Sequence, residues 1–219
     1  MEVFERVQAL GVLPVVELPT GADPLTIVDA LVSGGLGCIE ITLRTPGAME
    51  AIREVCRARP DVLVVAGTIL GVEHAEAAVD AGAALLVSPG LSPRLIDWAQ
   101  ARGVPVLPGV CTPTEIEQGR ERGLEVFKFF PAEAAGGRRY LTAIAAPYPM
   151  VRFVPSGGID VSNLARYLEL PNVLACGGSW MVSAQLLADG DLPTVARLAA
   201  EATAIVRESR AGQRPRFER

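Results

Sequence analysis

Short apolar runs, rich in valine and isoleucine, alternate along this chain with longer stretches in which apolar residues recur every three or four positions. The first pattern predicts strands over 12–17, 37–43, 62–67, 84–88, 104–108, 125–130, 151–155 and 172–177. The second predicts helices near 23–34, 46–58, 72–82, 92–102, 113–122, 137–146, 160–168 and 191–209, with an extra helix over 2–10. Asp23-Pro24, Ser92-Pro93 and Thr112-Pro113 read as an N-cap followed by proline in the first helical position. Gly34-Gly35, Gly82, Gly103 and Gly123 follow helical runs, where glycine closes a helix. Eight strand–helix units in a row imply a parallel sheet with its helices outside, and their number fits a compact α/β fold, a single (β/α)8 TIM barrel with an extra N-terminal helix. The barrel domain is expected over 1–210 and a loose, polar tail over 211–219. The rival, a doubly wound open sheet, favours a Gly-x-Gly-x-x-Gly turn after the first strand, and 19–23 is not one.

Alternation within the strands assigns side chains to the two faces of the sheet. In 37–44, Ile39, Ile41 and Leu43 share the face that meets the helices, which turns Cys38, Glu40, Thr42 and Arg44 inward. In 125–130, Phe127 and Phe129 face the helices and Val126, Lys128 and Phe130 face inward. Val62, Val64, Ala66 and Thr68 share a third face, with Thr68 at its end. Arg44, Thr68, Pro89, Lys128 and Phe130 therefore gather at the C-terminal strand ends, where barrels place their chemistry.

Lys128 is the one lysine against nineteen arginines, and it sits inside the apolar run Val126-Phe127-Lys128-Phe129-Phe130. Apolar surroundings favour the neutral amine, which attacks a carbonyl to form a Schiff base, whereas arginine cannot. The bland alternative is a strand lysine reaching water or paired with Glu125 or Glu133. Glu40, set between Ile39 and Ile41, is a general base beside an electrophilic carbon, or else half of an ion pair with Arg44. Arg44 suits bidentate binding of a carboxylate, or is a surface arginine in a loop. Ser156-Gly157-Gly158 and Gly177-Gly178-Ser179 end the last two strands, where barrels hold a phosphate on backbone amides.

Composition narrows the classes. The net charge of −5 has no basic stripe and aromatics make up only 5%, which argues against nucleic acid. No signal peptide and no apolar stretch of spanning length is present, so neither secretion nor a membrane is expected. Cys38, Cys56, Cys111 and Cys176 are scattered, as reduced thiols of a cytoplasmic protein would be. His74 is the sole histidine, which excludes a His-rich catalytic metal site and disfavours His–Asp–Ser hydrolysis.

Taken in order, several segments resemble one family: 39–45 (IEITLRT), 66–70 (AGTIL), 87–90 (VSPG), 108–115 (PGVCTPTE), 127–133 (FKFFPAE), 155–159 (PSGGI) and 177–180 (GGSW). From about residue 7 to 187 the chain is similar to class I 2-keto-3-deoxy-6-phosphogluconate (KDPG) aldolases, also described as 4-hydroxy-2-oxoglutarate (KHG) aldolases. The resemblance implies a lyase in which Lys128 forms the Schiff base and Glu40 moves protons. It implies that Arg44 binds the keto-acid carboxylate beside Thr68 and Pro89, and that Phe130 packs by the imine. Ser156, Gly157, Gly158, Gly178 and Ser179 would hold the phosphate of a keto-acid sugar phosphate. A homotrimer without metal or organic cofactor is implied as well. Two departures stand out: Ser156 replaces the threonine of many members, and Glu17 occupies an inward place where some members carry a basic residue. The residues leave three alternatives: the galactonate-series aldolase, a phosphosugar isomerase or synthase on the same barrel, and a phosphometabolite-binding protein without catalysis.

Overall fold

A computed structural model describes residues 2–211. Helix α1 (Glu2–Leu10) leads into β1 (Val12–Val16), and strands then alternate with helices. They run α2 (Pro24–Ser33), β2 (Cys38–Thr42), α3 (Ala48–Ala58), β3 (Leu63–Gly67), α4 (Val72–Asp80), β4 (Leu85–Val87) and α5 (Pro93–Ala101). β5 (Val106–Leu107) and β6 (Gly109–Val110) follow, then α6 (Pro113–Arg120), β7 (Val126–Phe129), α7 (Gly137–Ile144), β8 (Arg152–Pro155), α8 (Leu164–Leu168) and β9 (Cys176–Gly178). A 3-10 turn (Trp180–Val182), α9 (Ala184–Ala188) and the long α10 (Leu192–Ala211) complete the described residues.

All pairings are parallel, in two arcs ordered β5-β4-β3-β2-β1-β9 and β6-β7-β8. β5 and β6 are one barrel strand split at Pro108, which has no N–H to give to a ladder; its carbonyl accepts from Lys128 N at 2.9 Å. The arcs meet again between β8 and β9, through bridges Phe153↔Val173 and Ser156↔Gly177. The ring so closed is the predicted barrel, and it removes the open-sheet alternative.

The three expected caps form. Asp23 accepts from Leu25 N at 2.9 Å, Ser92 from Leu95 N at 3.4 Å, and Thr112 makes a full capping box with Glu115. Three expectations shift. The strand 104–108 shortens and switches partner at Pro108, the helix 160–168 keeps only Leu164–Leu168, and the turn and short helix over 180–188 had not been foreseen. The last helix runs to Ala211, one residue into the predicted tail, and 212–219 lie outside the described residues. No helix among the described residues is long and apolar enough to cross a membrane.

Two apolar clusters show which way the strands face. Ile39, Ile41, Phe127 and Phe129 belong to the larger one, between sheet and helices. Leu13, Cys38, Leu63, Val65, Leu85, Leu107 and Val154 fill the barrel interior and meet Val7 of α1, which closes the lower end. One reading of alternation needs correcting. Val64 and Ala66 face the helices, so strict period 2 would send Thr68 outward too. Thr68 instead has φ 61°, which breaks the strand's alternation. A β-branched residue in that region costs on the order of 1–3 kcal/mol, so the surrounding structure must hold it there.

Candidate active site

On the apolar floor stands a polar pair. Glu40 is paired in register with Val15 and Val65, and Lys128 with Gly109 and Val154, so each is supplied by a strand whose other face is anchored by isoleucine or phenylalanine. Lys128 Nζ lies 3.5 Å from Glu40 Oε1, and the two side chains are only 9% and 3% exposed. The bland alternatives for Lys128 and Glu40 do not form: Lys128 pairs with Glu40 rather than Glu125 or Glu133, and Arg44, half exposed in the turn after β2, does not pair with Glu40. The pair is longer than the roughly 2.7–2.9 Å of a charge-assisted hydrogen bond, and Oε1 of Glu40 has no hydrogen-bond partner. Taking two charges out of water costs several kcal/mol per ion. A loose, incompletely bonded pair offsets that poorly, so it is a weak device for stability and a good one for chemistry. Phe130 adds its ring, 5.3 Å from Lys128 Nζ.

Glycines make this closeness possible, and sequence reasoning passed over two of them. A Cβ on Gly67 would stand 2.8 Å from Glu40 Cγ and 2.9 Å from its Cδ. A Cβ on Gly109, beside Lys128 in register, would run into the backbone of Pro89. The signal available was glycine at the end or start of a strand, which marks close approach.

At the mouth, Arg44 Nε donates to Thr68 Oγ1 at 3.2 Å, and its Nη1 donates to Glu17 Oε2 at 3.3 Å. The unusual φ of Thr68 is what brings its hydroxyl to the arginine. The Arg44 and Glu17 side chains are 49% and 54% exposed, so their pairing is worth about 0–1 kcal/mol and an incoming carboxylate can displace it.

The two glycine pairs come together across the seam between β8 and β9. Ser156 bridges Gly177, and Gly157 packs near the Phe130 ring. Gly157 and Gly158 have φ 98° and 81°, a region open to glycine and strained for other residues. The loop is zipped to the end of β7: Ala132 N donates to Ser156 O at 2.8 Å and Glu133 N to Gly157 O at 3.0 Å. Asn163 Nδ2 holds Gly158 O at 2.8 Å. Tyr167 donates to Glu133, and burial first and this carboxylate second push the Tyr167 phenol up. A side chain at Gly178 would strike the Trp180 ring, and one at Gly158 would strike Glu133. Ser179 is exposed next to Trp180, and Ser156 is buried. Among the described residues no group of three or more His, Cys, Asp or Glu could hold a metal ion.

A parallel barrel that holds a buried amine against a carboxylate at its strand ends has the arrangement of a Schiff-base-forming lyase. The model of the KDPG and KHG aldolase family matches residues 3–198, and the chain belongs to that family of carbon–carbon lyases. It is similar to the 2-dehydro-3-deoxy-phosphogluconate aldolase of Treponema pallidum, with 48% identity over 204 residues, covering 93% of this chain and 97% of that one. Among solved structures it resembles the KDPG aldolase of Legionella pneumophila with pyruvate captured as a covalent carbinolamine (TM-score 0.89, 36% identity, 92% and 98% of the two chains). It also resembles the 2-keto-3-deoxy-6-phosphogluconate aldolase of Zymomonas mobilis with 3-phosphoglycerate (TM-score 0.86, 41% identity, 92% and 95%).

Proposed function

We propose that the protein cleaves 2-dehydro-3-deoxy-6-phosphogluconate to pyruvate and glyceraldehyde 3-phosphate, and cleaves 4-hydroxy-2-oxoglutarate to pyruvate and glyoxylate as a second activity. The observation that carries the reading is the Lys128–Glu40 pair, 3.5 Å apart in a nearly dry interior. Glu40 takes a proton from the Lys128 ammonium, and the free amine attacks the C2 carbonyl to give a carbinolamine. Glu40, acting through water, passes that proton to the departing hydroxyl, which leaves as water and yields a protonated imine. Glu40 then takes the C4 hydroxyl proton as the C3–C4 bond breaks, and the electron pair enters the imine as an enamine. The aldehyde leaves, Glu40 returns a proton to C3, and water releases pyruvate from Lys128. Arg44 holds the keto-acid carboxylate, with Thr68 and Pro89 lining that end. Phe130 packs against the imine. Ser156, Gly157, Gly158, Gly178 and Ser179 receive the phosphate through hydroxyls and backbone amides. That distant anchor orients the bond that breaks.

The Legionella protein's covalent pyruvate supports the imine chemistry, and the Zymomonas protein's 3-phosphoglycerate supports a phosphorylated substrate. We place the protein in the cytoplasm as a homotrimer that uses neither metal nor organic cofactor; its four free cysteines accord with a reducing compartment. Borohydride reduction in the presence of pyruvate tests the mechanism. One pyruvyl unit should appear on Lys128 by peptide mass spectrometry. Labelling of the N-terminal amine alone would remove the imine, and an isomerase or a binding protein on this barrel would take its place.

A further inference from the structure

Glu17 has no part in the chemistry above, yet it stands at the mouth of the site. On β1 the inward row is Leu13, Val15 and then Glu17. Leu13 lies in the interior cluster, and Val15 is paired with Glu40, so Glu17 rises one layer above the Lys128–Glu40 pair. β1 lies between β2, which leads to Arg44, and β9, which ends in Gly178. A substrate bound to Lys128 and anchored on the loops after β8 and β9 therefore passes the end of β1.

The charged side chains around the amine and the mouth pair off: Lys128 with Glu40 inside, and Arg44 with Glu17 above. One carboxylate of the substrate is met by Arg44. The phosphate at C6 is met by loop amides, which need no cation. The two substrates differ at C5, where the phosphorylated sugar acid carries a neutral hydroxyl and 4-hydroxy-2-oxoglutarate carries a second carboxylate too short to reach the loops. For that second carboxylate the end of β1 offers an acid, Glu17, and the arginine beside it is already met by the first carboxylate.

We propose that Glu17 is a specificity-determining residue that disfavours dicarboxylate keto acids relative to the phosphorylated sugar acid. The inference rests on the aldolase reading and goes beyond it by assigning the choice between its two substrates to one side chain. Repulsion between two carboxylates at a half-exposed, screened mouth predicts a discrimination of roughly 3- to 10-fold.

The test is steady-state cleavage of both substrates by the wild-type protein and by Glu17→Gln. The kcat/KM ratio of phosphorylated substrate to dicarboxylate should fall roughly 3- to 10-fold in the variant, through a lower KM for the dicarboxylate. Raising the salt should compress the wild-type ratio and leave the variant's ratio flat. An unchanged ratio overturns the proposal. So does a parallel rise on both substrates, which would mean that Glu17 acts only by restraining Arg44 on the carboxylate they share. A wild-type protein that cleaves neither substrate would instead overturn the aldolase reading, so the two failures are told apart.

Discussion

Gly67→Ala adds one methyl group, and the structure says where it goes. The new Cβ lies 2.8 Å from Glu40 Cγ and 2.9 Å from Cδ. Carbon atoms rest at about 3.5–4.0 Å, so the carboxylate must retreat by roughly 0.7–1 Å. Gly67 is absent from the positive-φ glycines, so alanine meets no backbone penalty there and the perturbation falls on Glu40 alone. A misplacement near 1 Å costs about 10²-fold in rate, equivalent to about 2.7 kcal/mol of barrier. Overpacking costs about 1–3 kcal/mol of stability, which a folded domain tolerates. The assay is aldol cleavage coupled to pyruvate reduction, with a melting curve for each protein. We expect kcat to fall about 10- to 100-fold with the fold retained. Gly71→Ala is the control, since a Cβ there meets nothing within 4 Å. Wild-type turnover in a folded Gly67→Ala protein would refute the reasoning, because it would uncouple turnover from the position of Glu40.

Three further outcomes are expected. Glu40→Gln keeps the side-chain volume and removes the base; turnover should fall roughly 10²–10⁴-fold with phosphate affinity retained, and near-normal kcat would leave Glu40 a structural residue. Prolonged EDTA treatment should leave activity intact, since a single histidine and scattered cysteines offer no catalytic zinc set; loss restored by a divalent ion would contradict this. Alkaline stability should fall through two thiols. Burial pushes Cys38 from 9.0 up to about 12 and raises Cys176 as well. The unfolded thiolates form first, so their contribution is complete below pH 9 and is lost as pH rises toward the folded values. Denaturant melts at pH 8, 9 and 10 should show a loss of stability between pH 9 and 10 that Cys38→Ala reduces by about 1 kcal/mol, with little change between pH 8 and 9, and an unaltered profile would refute the assignment.

The barrel was legible because eight strand–helix units carry their own periodicity and caps, and local signals such as Asp23, Ser92 and Thr112 formed as read. The inward set of β2 and β7 was legible for the same reason, since isoleucine and phenylalanine on one face leave Glu40 and Lys128 no other direction. What escaped depends on contacts between strands distant in sequence. Alternation misassigned the face of Thr68, because a positive φ at one residue leaves no trace in polarity. The partner of Arg44 was missed because Glu17 lies on another strand. Gly67 and Gly109 drew no reading of their own, since what they make room for, Glu40 and Pro89, is set by packing. Trp180, which blocks Gly178, lies in a turn with too little periodicity to foresee.

The split at Pro108 divides the barrel wall into a six-stranded arc and a three-stranded arc. Lys128 belongs to the smaller arc, while Glu40, with Arg44 just beyond its strand, belongs to the larger one. Their 3.5 Å gap is thus a vernier, reading how the two arcs are aligned. In the proposed complex, pyruvate is covalently attached to one arc and ion-paired to the other, and the phosphate straddles their second seam between β8 and β9. The substrate then rivets the wall that catalyses its own cleavage. Bond scission cuts that rivet in two, leaving pyruvate between Lys128 and Arg44 and the phosphorylated fragment on the second seam alone.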